Sequence, residues 1–121
     1  KPTVWVLTGG IHATQPVSVE PEIELSHWSA RKLPDGDVHL VGWNMRSGAR
    51  RVSNTVKTFD AASARVTTST GRRYFLRGAP GSDPDAEYVW NGWRHINHIE
   101  AWEDVTDSVW TQIEAARSFR D

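Results

Sequence analysis

The chain contains no cysteine, and only one of its 121 residues is methionine. The absence of cysteine excludes disulfide frameworks, thiolate zinc sites and cysteine nucleophiles, and it suits a reducing compartment. No apolar run approaches the about 20 residues that a membrane-spanning helix needs, so we predict no membrane partner. The first residues also lack the basic stretch and long apolar run of a signal peptide. We therefore expect a cytoplasmic protein.

Tryptophan is abundant by contrast, with seven residues in a short chain. Hydrophobic residues make up 38% of the chain and charged residues 24%, which is typical of a folded globular protein. The length suits one core, so we predict a single domain over residues 1–121. Because the interior is small, we expect each tryptophan either to form a central part of the core or to lie at the surface where it can contact a partner. The tryptophans are Trp5, Trp28, Trp43, Trp90, Trp93, Trp102 and Trp110.

The small net charge of −1 conceals a strong charge polarity along the chain. Residues 1–30 have a net charge of −2, and residues 31–80 carry ten Lys and Arg against three Asp. Residues 81–121 carry three Arg against nine Asp and Glu. Two interpretations stay open. In the first, the segments attract each other within the fold or merely keep the surface soluble. In the second, the basic segment faces a polyanion or the acidic one faces a basic protein.

The first two thirds of the chain are predicted to form β-strands, because alternating or β-branched apolar runs are separated by turns rich in Gly, Pro and Asp. In the second run, alternation places Ile23 and Leu25 on one face with His27 and Ser29, and puts Trp28 on the other. Turn spacing predicts a curved antiparallel meander, barrel-like, of about 5–6 strands. The predicted strands are residues 4–7, 23–33, 38–45, 52–59, 66–70 and 73–76.

The last third changes to a helical period. Asp83 followed by Pro84 is an N-cap signal, and residues 84–97 form the predicted helix that covers the sheet. Gly92 within this helix is expected to mark a close packing contact. A short strand over residues 99–105 and a final helix capped at Thr106 follow, which makes the fold class α+β. The apolar stripes are Ala86, Val89, Trp90, Trp93 and Ile96 in the first helix, and Val109, Trp110, Ile113 and Ala116 in the second.

A basic and aromatic surface over residues 46–77 is the main candidate site. Arginines flank two predicted turns, and aromatic residues lie beside them. Curved sheets that bind single-stranded nucleic acid combine such cations with stackable aromatics. The candidate nucleic-acid-binding residues are Arg46, Arg50, Arg51, Arg72, Arg73, Arg77 and Tyr74, with Trp43 and Phe75 nearby.

Catalytic and metal-binding patterns are weaker. His95 and His98 could share a helix face as metal ligands, with Glu100, His12 or His39 as a third ligand. The carboxylates Glu20, Glu22 and Glu24 could bind a cation or do acid–base work, but a solvated strand edge is the far commoner cause of such a pattern. Ser53, Asp60 and either His27 or His39 supply the residue types of a triad, without a glycine-framed nucleophile turn. Gly9-Gly10 lacks the features of a phosphate loop. We therefore predict no catalytic residues, no metal and no cofactor.

Two segments carry a resemblance to known proteins: VTTSTGRRYFLRGAPG at residues 66–81 and AEYVWNGW at residues 86–93. Together with LTGG at 7–10 and WEDVT at 102–106, they resemble small uncharacterised proteins of bacterial phages, plasmids and genomic islands. The resemblance covers roughly residues 4–106. It implies a bacterial cytoplasmic accessory protein of a mobile element, and it assigns no role to any residue.

Three functional hypotheses follow. The first is a non-enzymatic protein-binding module, with self-association as its simplest form, since aromatics and Arg dominate interface hot spots. The second is nucleic-acid binding through the basic surface. The third is a hydrolase or metal-dependent enzyme that uses the histidine patterns.

Overall fold

The computed structural model describes residues 15–120, which contain a mixed sheet and two helices. This arrangement confirms the α+β class. The predicted first strand at 4–7, the Gly9-Gly10 pair and His12 lie outside the described residues. The elements are β1 (Glu22–Lys32), β2 (Val38–Asn44), β3 (Arg50–Val52), β4 (Val56–Asp60), β5 (Arg65–Thr68), β6 (Arg73–Leu76), α1 (Pro84–Ile96), β7 (Glu103–Asp104) and α2 (Thr106–Arg120).

The sheet has the strand order β3-β2-β1-β6-β5-β4, with β7 added to the end of β1. Two antiparallel meanders, β1-β2-β3 and β4-β5-β6, are joined by a parallel pairing of β1 with β6. The sheet curves far enough for β2 to contact β4. It is not closed into a barrel, because no ladder joins edge strands β3 and β4 in the described part of the chain.

The break between β3 and β4 divides the single strand predicted over residues 52–59. Ser53 is buried, and its hydroxyl accepts a hydrogen bond from the Leu40 N–H and donates one to the Asn54 carbonyl. Such local side-chain bonds compete with ladder bonds and end a strand. Residues 53–55 therefore carry the chain from one edge of the sheet to the other.

A β-bulge in β1 changes which residues face the core. The ladder with β2 shifts register between Ser26 and Ser29, and His27 has a φ of +49°. Because a bulge inserts one residue into a strand, the alternation reverses beyond it. Trp28 therefore joins Ile23 and Leu25 in the core, and the predicted assignment of Trp28 to the opposite face was wrong.

The concave face of the sheet holds the larger core, which α2 closes. Trp28 is fully buried, donates its indole N–H to the Gly78 carbonyl and packs edge-on against Trp110 of α2. Ile113 of α2 is also buried there, as the predicted stripe required. At the start of α2, the Thr106 hydroxyl accepts a hydrogen bond from the Ala30 N–H and ties the helix to β1.

Helix α1 covers the opposite face, since Leu40 belongs to the concave core while its neighbour Val41 packs with Ala86 and Trp90. The Asp83 N-cap is confirmed, because its carboxylate accepts the Ala86 N–H. Trp90 is fully buried and Trp93 is half-buried.

Three details at this end of the chain differ from the prediction. Ile96, the last residue of α1, is 79% exposed and does not pack against the sheet. Gly92 has open space around it, with no atom within 4 Å of an added Cβ, so it marks no close contact. The strand predicted at 99–105 is only Glu103–Asp104. No helix in the described chain is long and apolar enough to span a membrane.

Candidate docking surface

Two of the seven predicted nucleic-acid-binding residues are buried. The Arg72 guanidinium donates hydrogen bonds to the backbone carbonyls of Glu20 and Gln15, which fixes the chain that enters β1. Tyr74 is 1% exposed, and Arg51 lies over its ring. Burial raises the pKa of the Tyr74 hydroxyl, while the charges of Arg51 and Arg72 oppose that shift. Arg72 and Tyr74 therefore serve the fold in this structure.

Arg50 joins the sheet to α1. Its guanidinium lies 3.8 Å from the centre of the Trp43 ring and 2.9 Å from an Asp83 carboxylate oxygen. The His27 ring stacks on Trp43 with a centroid distance of 3.9 Å. Burial works to raise the pKa of the Asp83 carboxyl, but hydrogen bonds from Arg50 and the Ala86 N–H outweigh it and lower that pKa. Arg50 is thus already held by an aromatic ring and a carboxylate.

Arg73 and Arg77 lie on the convex face of the sheet, in β6 and directly after it. Arg73 pairs with Glu22 at 2.9 Å, and Arg77 pairs with Glu24 at 3.3 Å. These contacts follow from the parallel register, which sets Glu22 beside Arg73. Phe75 lies between two cations, with the Arg65 and Arg77 guanidiniums 5.4 Å and 5.0 Å from its ring centre. The parallel pairing of β1 with β6 thus creates a surface of alternating charge around one aromatic ring.

This surface forms a cleft of about 610 Å³, which we name the Glu–Arg cleft. Its walls include Met45, which is 52% exposed, and Arg46, which makes no ion pair among the described residues. The polar and charged lining residues are Glu20, Glu22, Glu24, Asn44, Arg46, Arg65 and Arg73. The cleft thus gathers the three carboxylates singled out in the sequence beside three guanidiniums, and its charges balance.

The charge polarity of the sequence corresponds to contacts within the fold. Every ion pair between described residues joins the basic segment 31–80 to one of its acidic flanks. One of them links Arg31, whose side chain is only 6% exposed, to Glu87 of α1. Hydrogen bonding from Arg31 is the main cause of the lowered pKa of the Glu87 carboxyl. Ion pairs within the fold thus engage Arg31, Arg50, Arg73 and Arg77 of the basic segment.

Among the described residues, the histidine patterns do not converge on a metal site. His95 and His98 are both exposed at the end of α1, and His39 is buried against Trp93 with Nδ1 2.7 Å from the Ser53 carbonyl oxygen. No group of three or more His, Asp or Glu side chains between residues 15 and 118 is placed to hold a metal ion.

The residue types of the triad are not arranged for catalysis either, since His39 contacts the backbone carbonyl of Ser53. Ser53 is buried with its hydroxyl bonded to backbone groups, and Asp60 accepts hydrogen bonds from Ala62 and Ser63 in its own turn. His27 contacts Ser26 and Trp43 instead of either residue. No nucleophile–base–acid arrangement is formed by these residues.

Arg65 and Met45 are among the cleft residues that were missed in the sequence. Arg65 begins β5, opposite Phe75 in the ladder, so only the strand register brings it to the cleft. Met45 follows β2 and reaches the cleft because its N–H bonds to the Glu24 carbonyl. Neither position has a local sequence signal.

Comparison with known proteins finds no matching family model, no similar curated protein and no similar solved structure.

Proposed function

We propose that this chain is a non-enzymatic protein-binding module that docks through the Glu–Arg cleft. The observation that carries the proposal is an exposed cleft in which Phe75 lies between Arg65 and Arg77, with Met45 on the wall. Aromatic, Met and Arg side chains are enriched in protein interfaces, and aromatic and Arg residues dominate their hot spots.

The balanced charge of the cleft favours a protein partner over a polyanion. Glu22 and Glu24 would repel phosphates, and they already engage Arg73 and Arg77. These pairs are about half exposed, and such pairs contribute only about 0–1 kcal/mol. A protein surface with its own carboxylates and guanidiniums could therefore exchange these contacts at little cost.

A second copy of this chain is the occupant that fits most simply. A two-fold interface requires a self-complementary patch, and equal numbers of carboxylates and guanidiniums in the cleft meet that requirement. The resemblance to phage, plasmid and genomic-island proteins supports a biological setting as a cytoplasmic accessory factor of a bacterial mobile element.

Sedimentation velocity over a wide range of protein concentrations tests the proposal. We expect concentration-dependent dimers, and we expect Arg65→Glu to weaken them by at least about tenfold, since like-charge contacts at an interface cost several kcal/mol. Arg65 makes no ion pair in the described chain, so the folded monomer should tolerate the change. Lys57→Glu, an identical charge change at an exposed β4 position outside the cleft, is the matched control.

A strictly monomeric wild-type protein would refute docking of a second copy. Equal weakening by Arg65→Glu and Lys57→Glu would refute the cleft as the docking site, because a general charge effect would then explain both.

Nucleic-acid binding is the second candidate, favoured by Arg46 and Arg65, which line the cleft without ion pairs among the described residues. Two such cations would neutralise about two phosphates. The logarithm of the affinity for a single strand should then fall with the logarithm of the salt concentration with a slope of about −1.4. Fluorescence anisotropy of a labelled oligonucleotide measures that slope, and no binding at about 50 mM salt would exclude this function.

A further inference from the structure

An apolar groove opens where the sheet fails to close. The N-terminal half of β2 and the edge strand β4 border the gap, and α2 lies across one side of it. Val38 and Leu40 come from β2, Val56 and Phe59 from β4, and Val109 from α2. We name this opening the seam groove. It lies on the concave face, because its lining residues belong to the core closed by α2.

The walls of the seam groove are only half-buried. Val38, Val56, Phe59 and Val109 pack against the concave core yet keep part of their surface exposed. Leu40 at the floor is 2% exposed. The groove therefore offers a continuous apolar surface that no side chain of the described residues fills.

The size and shape of the groove suit a small molecule. Its volume is about 320 Å³, at the lower end of the about 300–1,000 Å³ of ligand sites. Such sites are mostly apolar with a few polar groups. Ser108 and Gln112 of α2 supply the polar groups at the rim.

One charged side chain lines the groove, that of Lys32 at the end of β1. Lys32 makes no ion pair within the described chain, and its ladder neighbour Glu103 is not within ion-pair distance. An apolar channel with a single unpaired ammonium at its rim is complementary to a molecule with an aliphatic chain and one negative head group.

We propose that the seam groove binds a small amphipathic anion, a free aliphatic carboxylate, with its chain along Val38, Val56 and Val109 and its head group at Lys32. Burial of the methylene groups supplies most of the affinity, because apolar surface is removed from water. The carboxylate accepts a hydrogen bond from the Lys32 ammonium and sets the orientation of the ligand.

Isothermal titration calorimetry with decanoate below its micelle concentration tests the proposal. We expect one site, and we expect decyltrimethylammonium to bind at least about tenfold more weakly, because its cationic head group cannot accept a hydrogen bond from Lys32. Lys32→Glu should reduce the decanoate affinity by at least the same factor. Lys57→Glu is again the matched control, since Lys57 is exposed on β4 and lies outside the groove.

A second measurement places the ligand without relying on any variant. In methyl-labelled protein, decanoate should shift the NMR signals of Val38, Val56 and Val109. Val41 and Val52 pack under α1 on the other face, and their signals should stay in place. Equal affinity for the anionic and cationic probes, equal loss in the two lysine variants, or shifts centred on Val41 would overturn the proposal, as would the absence of decanoate binding.

Discussion

Trp90 is the side chain on which the attachment of α1 to the sheet most depends. It is fully buried, stacks on Trp93 at 5.3 Å and meets the Trp102 ring edge-on at 5.3 Å. The Arg31 guanidinium lies 4.9 Å from its ring centre. Replacing a buried Trp by Ala typically lowers the free energy of unfolding by about 3–5 kcal/mol. We expect a loss of that size for Trp90→Ala.

The indole nitrogen of Trp90 makes the same position informative in a second way. Its N–H is buried and finds no hydrogen-bond acceptor among the described residues. An unsatisfied buried donor costs about 1–3 kcal/mol, and Phe lacks that donor while keeping most of the aromatic area. We therefore expect Trp90→Phe to change the free energy of unfolding by less than about 1 kcal/mol, because the gain offsets the smaller ring.

Urea denaturation measures the free energy of unfolding of both variants. An m-value equal to that of the wild-type protein shows that unfolding exposes the same surface in each case. Trp93→Ala is the internal control: this ring is half-buried, so its loss should cost less than that of Trp90. A cost below about 1 kcal/mol for Trp90→Ala would refute the burial argument. A cost for Trp90→Phe near that of Trp90→Ala would mean that the indole N–H has an acceptor.

Two glycines should respond to alanine in opposite directions. Gly92→Ala should raise the free energy of unfolding by about 1 kcal/mol, since a helix interior favours Ala and nothing lies within 4 Å of the new Cβ. Gly42→Ala should lower it by about 1–3 kcal/mol, because its Cβ would lie 2.9 Å from Leu25 Cγ; thermal melts of both variants test this. The pKa of the Glu87 carboxyl is lower in the folded protein than in the unfolded chain. Its pairing with Arg31 therefore stabilises the fold fully at pH values above the pKa of the unfolded chain, and this stabilisation is lost as the pH falls through the pKa of the folded protein. Glu87→Gln should therefore flatten the acid limb of stability against pH, and an unchanged limb would contradict the pairing.

The sequence predicted those features of the helices that depend only on residues close together in the chain. Asp83 and Pro84 fix the start of α1 through one side-chain hydrogen bond and one preset φ, and both can be read from two adjacent residues. The stripe of α2 through Ile113 likewise follows from helical spacing alone.

Features that depend on pairing between distant strands could not be predicted in this way. The bulge at His27 has no glycine to mark it, yet it decides that Trp28 enters the core. The parallel contact of β1 with β6 joins segments about 50 residues apart, and it alone brings Glu22 to Arg73. The charge polarity was visible in the sequence, but the choice between partner and self-contact required this register.

The same strand geometry separates the two proposed surfaces. Arg65 and Val66 are consecutive in β5, and strand alternation sends Arg65 to the Glu–Arg cleft and Val66 to the seam groove. No residue lines both. A charge reversal at Arg65 therefore tests docking without touching the groove, and one at Lys32 tests ligand binding without touching the cleft. Failure of either proposal leaves the other standing, because the two surfaces share a strand but no side chain.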